Sequence, residues 1–178
     1  MNSAVKSIFF MSLCLSLILA VGCKPSIPSG WIEYDHNLTN SYGGFEQTVR
    51  VTGNIGFLSS DAALTPQSSM YSGSGKAAVA ISGTAGECTI SGSGSNDVSL
   101  KGSEFFGKIF FNTTETWYSP ASFTVICPDS DPLEVPLPTV TIDQKISFPL
   151  EDGAVFVQPY IGAAGSGTYR WILHIGDM

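Results

Sequence analysis

From Trp31 onward no run of ten residues shows helical periodicity, and alternation takes its place. In EQTVRVTGNIGFLS, Val49, Val51, Ile55 and Phe57 fall on one side, and Thr48, Arg50, Thr52 and Asn54 on the other. A period of two marks a half-buried strand, because successive side chains point to opposite faces. Gly53 and Gly56 within it are expected to mark a bulge or bend. KAAVAIS and GECTIS, separated by GTAG, read as a hairpin. ASFTVIC, TVTI, KISFPL, GAVFVQPYIG and GTYRWILHIG bring the total to roughly nine strands. SEFFGKIFFN is expected to be one central strand covered twice, with Phe105, Ile109 and Phe111 facing away from Phe106, Lys108 and Phe110. The Gly-Ser runs at 72–75 and 91–95 read as loop tips. Residues 59–71 have room for one helical turn, limited by Pro66. Short strands punctuated by turn signals predict an all-β fold: a single antiparallel β-sandwich or jelly-roll-like domain over residues 31–178. A small closed β-barrel is the alternative.

The chain has 178 residues and can bury a hydrophobic core without a metal or many disulfides. Eight Lys and Arg against fifteen Asp and Glu give a formal charge of −7. With no basic stripe to neutralise successive phosphates, nucleic acid is not an expected partner.

The N-terminus has a different character. MNSAVKS carries Lys6, and residues 8–21, IFFMSLCLSLILAV, run without a charge. A membrane-spanning helix needs about 20 apolar residues, so this shorter run with a basic start reads as a secretory signal peptide over residues 1–22. At the end of this run LAVGC, Leu19 to Cys23, resembles the bacterial lipobox: Ala20, Val21 and Gly22 precede Cys23, with Leu19 one place further out. The resemblance implies that Cys23 becomes the first mature residue and carries the acyl chains. Several acyl chains make a durable anchor, where one would be marginal. KPSIPSG then supplies small and proline residues suited to a tether, residues 23–30 including the cysteine. Lys24 stands where the family's inner-membrane retention signal has aspartate, which implies the outer membrane. Ordinary cleavage and secretion is the competing outcome.

With Cys14 removed in the leader and Cys23 acylated, Cys88 and Cys127 remain. Both lie on expected strands among apolar neighbours, and the compartment permits oxidation, so a Cys88–Cys127 disulfide is the coherent pairing.

No catalytic residues, metal ligands or cofactor are assigned. The two histidines, His36 and His174, sit on separate segments, and His174 is expected on the wetter face of the last strand, opposite Tyr169 and Trp171. Nucleophilic hydrolysis needs a base beside its nucleophile, and no such spacing is present. The acidic turns at Asp129, Asp131 and Glu134, and at Glu151 and Asp152, do not match the twelve-residue calcium loop. Aromatics carry more signal. Trp117 and Tyr118, in the polar stretch TTETWYSPAS, are the candidate ligand residues, their competing role being to cap the core. The expected function is a non-enzymatic, membrane-anchored envelope or surface lipoprotein that binds a protein or serves an envelope assembly. The alternative is a carbohydrate-binding or adhesion module.

Overall fold

A computed structural model describes residues 29–65, 68–117, 122–162 and 165–178. The leader, Cys23, most of the tether and Tyr118 lie outside these residues. Ten strands follow in order: β1 Ser29–Tyr42, β2 Phe45–Thr65, β3 Ser68–Ala85, β4 Cys88–Phe105, β5 Lys108–Trp117, β6 Ser122–Ile126, β7 Leu133–Pro136, β8 Val140–Pro149, β9 Ala154–Gly162 and β10 Gly165–Ile175. They form one antiparallel sheet in the order β7-β6-β4-β3-β2-β1-β10-β9, with β5 also on β4 and β8 on β5. The all-β, antiparallel expectation is met. The sheet does not close into a barrel, because β8 and β9 form no ladder with each other.

Strand length forces the sheet to curl. At 3.3 Å per residue an 18-residue strand would run about 60 Å if straight. A domain of this size has a radius of gyration of only about 15 Å. The long strands therefore bend, and opposite parts of one sheet pack face to face. Phe57 of β2 meets Phe111 of β5 with ring centroids 5.0 Å apart, and Phe148 of β8 meets Phe156 of β9 at 6.3 Å. Glycine permits the close backbone approach this needs. A Cβ on Gly73 would lie 2.0 Å from the Gly56 carbonyl oxygen.

Five expectations are corrected or refined here. SEFFGKIFFN is not one strand. It turns at Phe106–Gly107, both with positive φ, so that Phe105 pairs with Lys108 across a hairpin. The Gly-Ser runs lie inside β3 and β4, each paired with the other strand, Gly73 with Leu100 and Ser91 with Ser82. Gly53 and Gly56 make no bulge in the β1–β2 ladder, which runs through both without a shift, but the β2–β3 pairing is interrupted across them, between Thr52 and Leu58. Residues 59–65 and 68–71 belong to β2 and β3, and the tether gives up Ser29 and Gly30 to β1. SEFFGKIFFN reads as continuous where the chain turns; the small and polar runs read as breaks, but ladder pairing with neighbouring strands holds such residues extended regardless of propensity.

β4 forks. Its C-terminal part, Asp97–Phe105, pairs with β5, and Thr89–Ser91 pair with β6 on the same side. The Cys88–Cys127 disulfide secures the β6 branch. It closes a loop of about 40 residues, for which chain entropy corresponds to about 4 kcal/mol.

The two ends of the domain are distinct. At the entry end Ser29 O accepts from Gly176 N, Asp152 accepts from Ile175 N, and Leu150 N donates to Gly107 O. At the far end Gly86 N donates to Gly44 O between adjacent turns.

Candidate functional site

The inward positions of β1 are Ile32, Tyr34 and His36, and those of β5 are Ile109, Phe111, Thr113 and Glu115. On β4 they include Ile90, Asn96, Val98 and Leu100. The alternation that buries apolar residues thus buries His36, Asn96, Thr113 and Glu115, each at most 1% exposed. The curl of the sheet brings the β1 and β10 wall, with Tyr34, Tyr169 and Trp171, within electrostatic reach of Glu115. His36 meets Tyr34, Tyr169 and Trp171 with ring centroids 4.8–5.2 Å apart.

Asn96 Nδ2 donates to Glu115 Oε1 at 2.5 Å. His36 Nδ1 accepts from the Arg170 backbone N–H at 3.2 Å. An accepting Nδ1 leaves the proton of a neutral imidazole on Nε2. Beyond these bonds the Tyr34 hydroxyl interacts with Thr113 and the Trp171 indole, and the Glu115 carboxyl with the Trp117 indole, while His36 Nε2 and Asn96 Oδ1 have no hydrogen-bond partner. Each buried polar atom without a partner costs roughly 1–3 kcal/mol.

Burial sets the charge states. Desolvation pushes the Glu115 carboxyl above the usual carboxylate range, against the opposing pull of Asn96 and the nearby Trp117 indole. The same desolvation lowers His36 to about 4, so it is neutral at ordinary pH. Burial, then the nearby Glu115, raises the Tyr34 hydroxyl.

Trp117 ends β5 beside the fork in β4. It is half-buried, and with Gln47, Val49, Ile81, Leu137, Pro138 and Val140 it lines a cavity of about 150 Å³ at the far end. That is the space of roughly five waters at about 30 Å³ each. Trp117 therefore joins two features: its indole N–H lies near Glu115, and its ring borders the cavity. Its neighbour Tyr118 lies outside the described residues.

The other expected features are dispersed. His174 takes the outer face of β10, where it stacks on Trp31 at 3.7 Å, with Glu33 at 3.3 Å and Asp152 at 3.7 Å. Glu134 accepts from the Ser122 and Thr124 hydroxyls across the β6–β7 pair. Among the described residues no group of three or more His, Cys, Asp or Glu is placed to hold a metal ion. Tyr34, Tyr169 and Trp171 are core residues and form no exposed platform.

Glu115, Asn96, Thr113 and His36 were not singled out from sequence, although a signal existed. Each occupies the apolar phase of its strand, as Glu115 does in the series Ile109, Phe111, Thr113, Glu115, Trp117. Extending the alternation through TTETW would have placed a carboxylate inside.

Fold and site together define an incompletely closed, curled antiparallel domain with a polar interior and a tryptophan-bordered cavity at one end. No protein-family model, curated protein or solved structure matches this chain.

Proposed function

We propose that the protein is a lipid-anchored envelope lipoprotein, sorted to the outer membrane, whose β-domain acts by binding a protein partner and not by catalysis. The observation that carries the binding role is the contrast between two of the sheet's edge strands, β7 and β9, the third being β8 on the β5 branch. β7 is four residues long, contains Pro136 and carries Glu134, the devices that keep an edge from pairing. β9 is nine residues long and among the described residues pairs only with β10; it too holds a proline, Pro159, but carries no acidic residue and exposes Val155 at 50%, Val157 at 51% and Ile161 at 85%. An open edge with outward β-branched residues is a template for strand addition by another chain. A photocrosslinker at Val157 in cells should give a discrete adduct, and one at Lys101 on the same outer surface should not. Equal labelling at both, or none, rules out the edge. The anchor is tested by the mass of the mature N-terminus and by fractionation of C23A. Acyl mass on Cys23 and loss of membrane retention on substitution are expected.

A glycan-binding reading is favoured by the cavity itself. An aromatic wall at Trp117 with the Gln47 amide suits a neutral polyhydroxylated ligand, whose apolar faces stack and whose hydroxyls need both donors and acceptors. Titration with neutral hexose and N-acetylhexosamine oligosaccharides should quench tryptophan fluorescence in the wild type and not in W117A. No quenching by either sugar class excludes it.

A further inference from the structure

Three two-residue turns with positive φ join neighbouring strands. Gly43–Gly44 and Gly86–Glu87 begin with glycine, with φ of 58° and 62°, a conformation it adopts without strain. The β4–β5 turn begins with Phe106 at φ 50°, followed by Gly107 at 72°. Left-handed backbone costs a bulky L-residue about 1–2 kcal/mol, and this turn position ordinarily takes Asn, Asp or Gly. Phe106 gains nothing from the core in return. It is 85% exposed, and Phe105 beside it, at a ring distance of 4.2 Å, is 51% exposed. Phe110, on the outer face of β5, is 43% exposed. A strained aromatic held in water points to a contact outside the domain.

Its place in the fold identifies that contact. The turn lies at the entry end: Gly107 O accepts from Leu150 N, the next turn's Asp152 accepts from Ile175 N, and Gly176 N donates to Ser29 O. Ser29 is where the chain emerges from the tether. Six residue steps from Cys23 to Ser29 span at most about 20 Å. By register Ser29 aligns with Leu58, Leu58 with Ser72, and Ser72 with Lys101. Phe106 stands five residues beyond Lys101, about 17 Å of strand. An anchor on Cys23 would therefore hold the bilayer within reach of this hairpin. The charges at this end are mixed, Lys101 and Lys108 with Glu104, Glu151, Asp152 and Asp177, which favours apolar insertion over attraction to one headgroup charge.

We propose that the Phe105–Phe106 hairpin tip inserts into the headgroup region of the membrane that carries the acyl anchor, fixing the domain's orientation with its cavity end facing away. This rests on the acylation of Cys23. Tethering supplies the affinity that two phenylalanines alone would lack, because the second contact becomes intramolecular.

The test uses the full acylated chain, with K108C carrying an environment-sensitive fluorophore, in vesicles of phosphatidylethanolamine and phosphatidylglycerol. The expected result is a blue-shifted emission shielded from aqueous iodide. With F105S and F106S added, the shift should be lost while the protein stays with the vesicles. F106N guards against misfolding: it relieves the turn and should raise the unfolding midpoint while weakening the shielding. A water-exposed label on vesicle-bound, acylated protein overturns the proposal alone. Absence of acyl mass on Cys23 overturns the anchor and the proposal with it. Shielding that requires a purified partner protein overturns it in favour of protein docking.

Discussion

One curled sheet encloses two interiors of opposite character. Toward the entry end Phe57 meets Tyr71 edge to face and Phe111 at a tilt, among buried Ile109, Ile146 and Phe148, and the Tyr71 hydroxyl donates to Glu104 at 3.1 Å. Toward the middle and far end, Tyr34, His36, Asn96 and Glu115 are just as buried, but His36 and Asn96 leave polar atoms without partners. The first region gains free energy by removing apolar surface from water. The second gives some of it back, since desolvation without a partner is unfavourable. The two kinds of interior are thus divided along the strands, with β1, β4 and β5 contributing to both.

The comparison breaks if the two halves respond alike to substitution. The largest effect is expected at Phe111, 1% exposed at the centre of the apolar half. Phe111→Ala should cost about 4 kcal/mol in denaturant unfolding, through lost burial and the cavity left behind. A loss below about 1 kcal/mol would mean that this half is not the principal core.

Next comes the titration of His36. Its folded pKa of about 4 lies below the ordinary 6.5, so between these values the unfolded chain binds the extra proton. Stability is fully present above about pH 6.5 and is lost as pH falls toward 4, by about 3 kcal/mol. His36→Gln should flatten that slope, measured as the unfolding midpoint against pH. An unchanged slope would assign the acid sensitivity to other groups.

Glu115 has the opposite sign. Its folded pKa is raised, so the native state retains a proton that the unfolded chain releases, and stability falls as pH rises from about 4.5 through the folded value. Glu115→Gln keeps an acceptor for Asn96 and removes the charge. It should raise stability above neutrality by about 1 kcal/mol, the scale of one unsatisfied buried group, with little change at pH 4. A destabilised variant at high pH would show that the carboxylate is compensated in the folded state. The smallest effect is expected at the cavity wall, where W117A should change stability less than Phe111→Ala because Trp117 is only half-buried.

Strand alternation in β2, β5 and β10 was legible from residues alone, since a period of two survives whatever the strand pairs with. The disulfide was legible through cysteine arithmetic, and Cys88–Cys127 does join β4 to β6. SEFFGKIFFN misled because Phe and Gly in sequence do not announce a left-handed turn, which Asn-Gly would have done. The Gly-Ser stretches misled because glycine signals a turn locally, yet inside a sheet it serves close approach. Of the candidate site, Trp117 was found through its polar neighbourhood. Its connection to Asn96 was not, because that depends on the β4–β5 register, nor was the approach of Tyr34, because β1 reaches this part of β5 only after the sheet curls.

By itself the sequence determined that the chain is all-β, which faces of its strands are apolar, and which cysteines pair, because these depend on local periodicity and on counting. Tertiary structure alone decided that β4 forks and that a buried carboxylate faces two tyrosines across the core. It alone decided that a strained phenylalanine turn shares an end with Ser29. Those relations arise from hydrogen-bond register and strand bending between segments far apart in the chain, and no local pattern of residues encodes them.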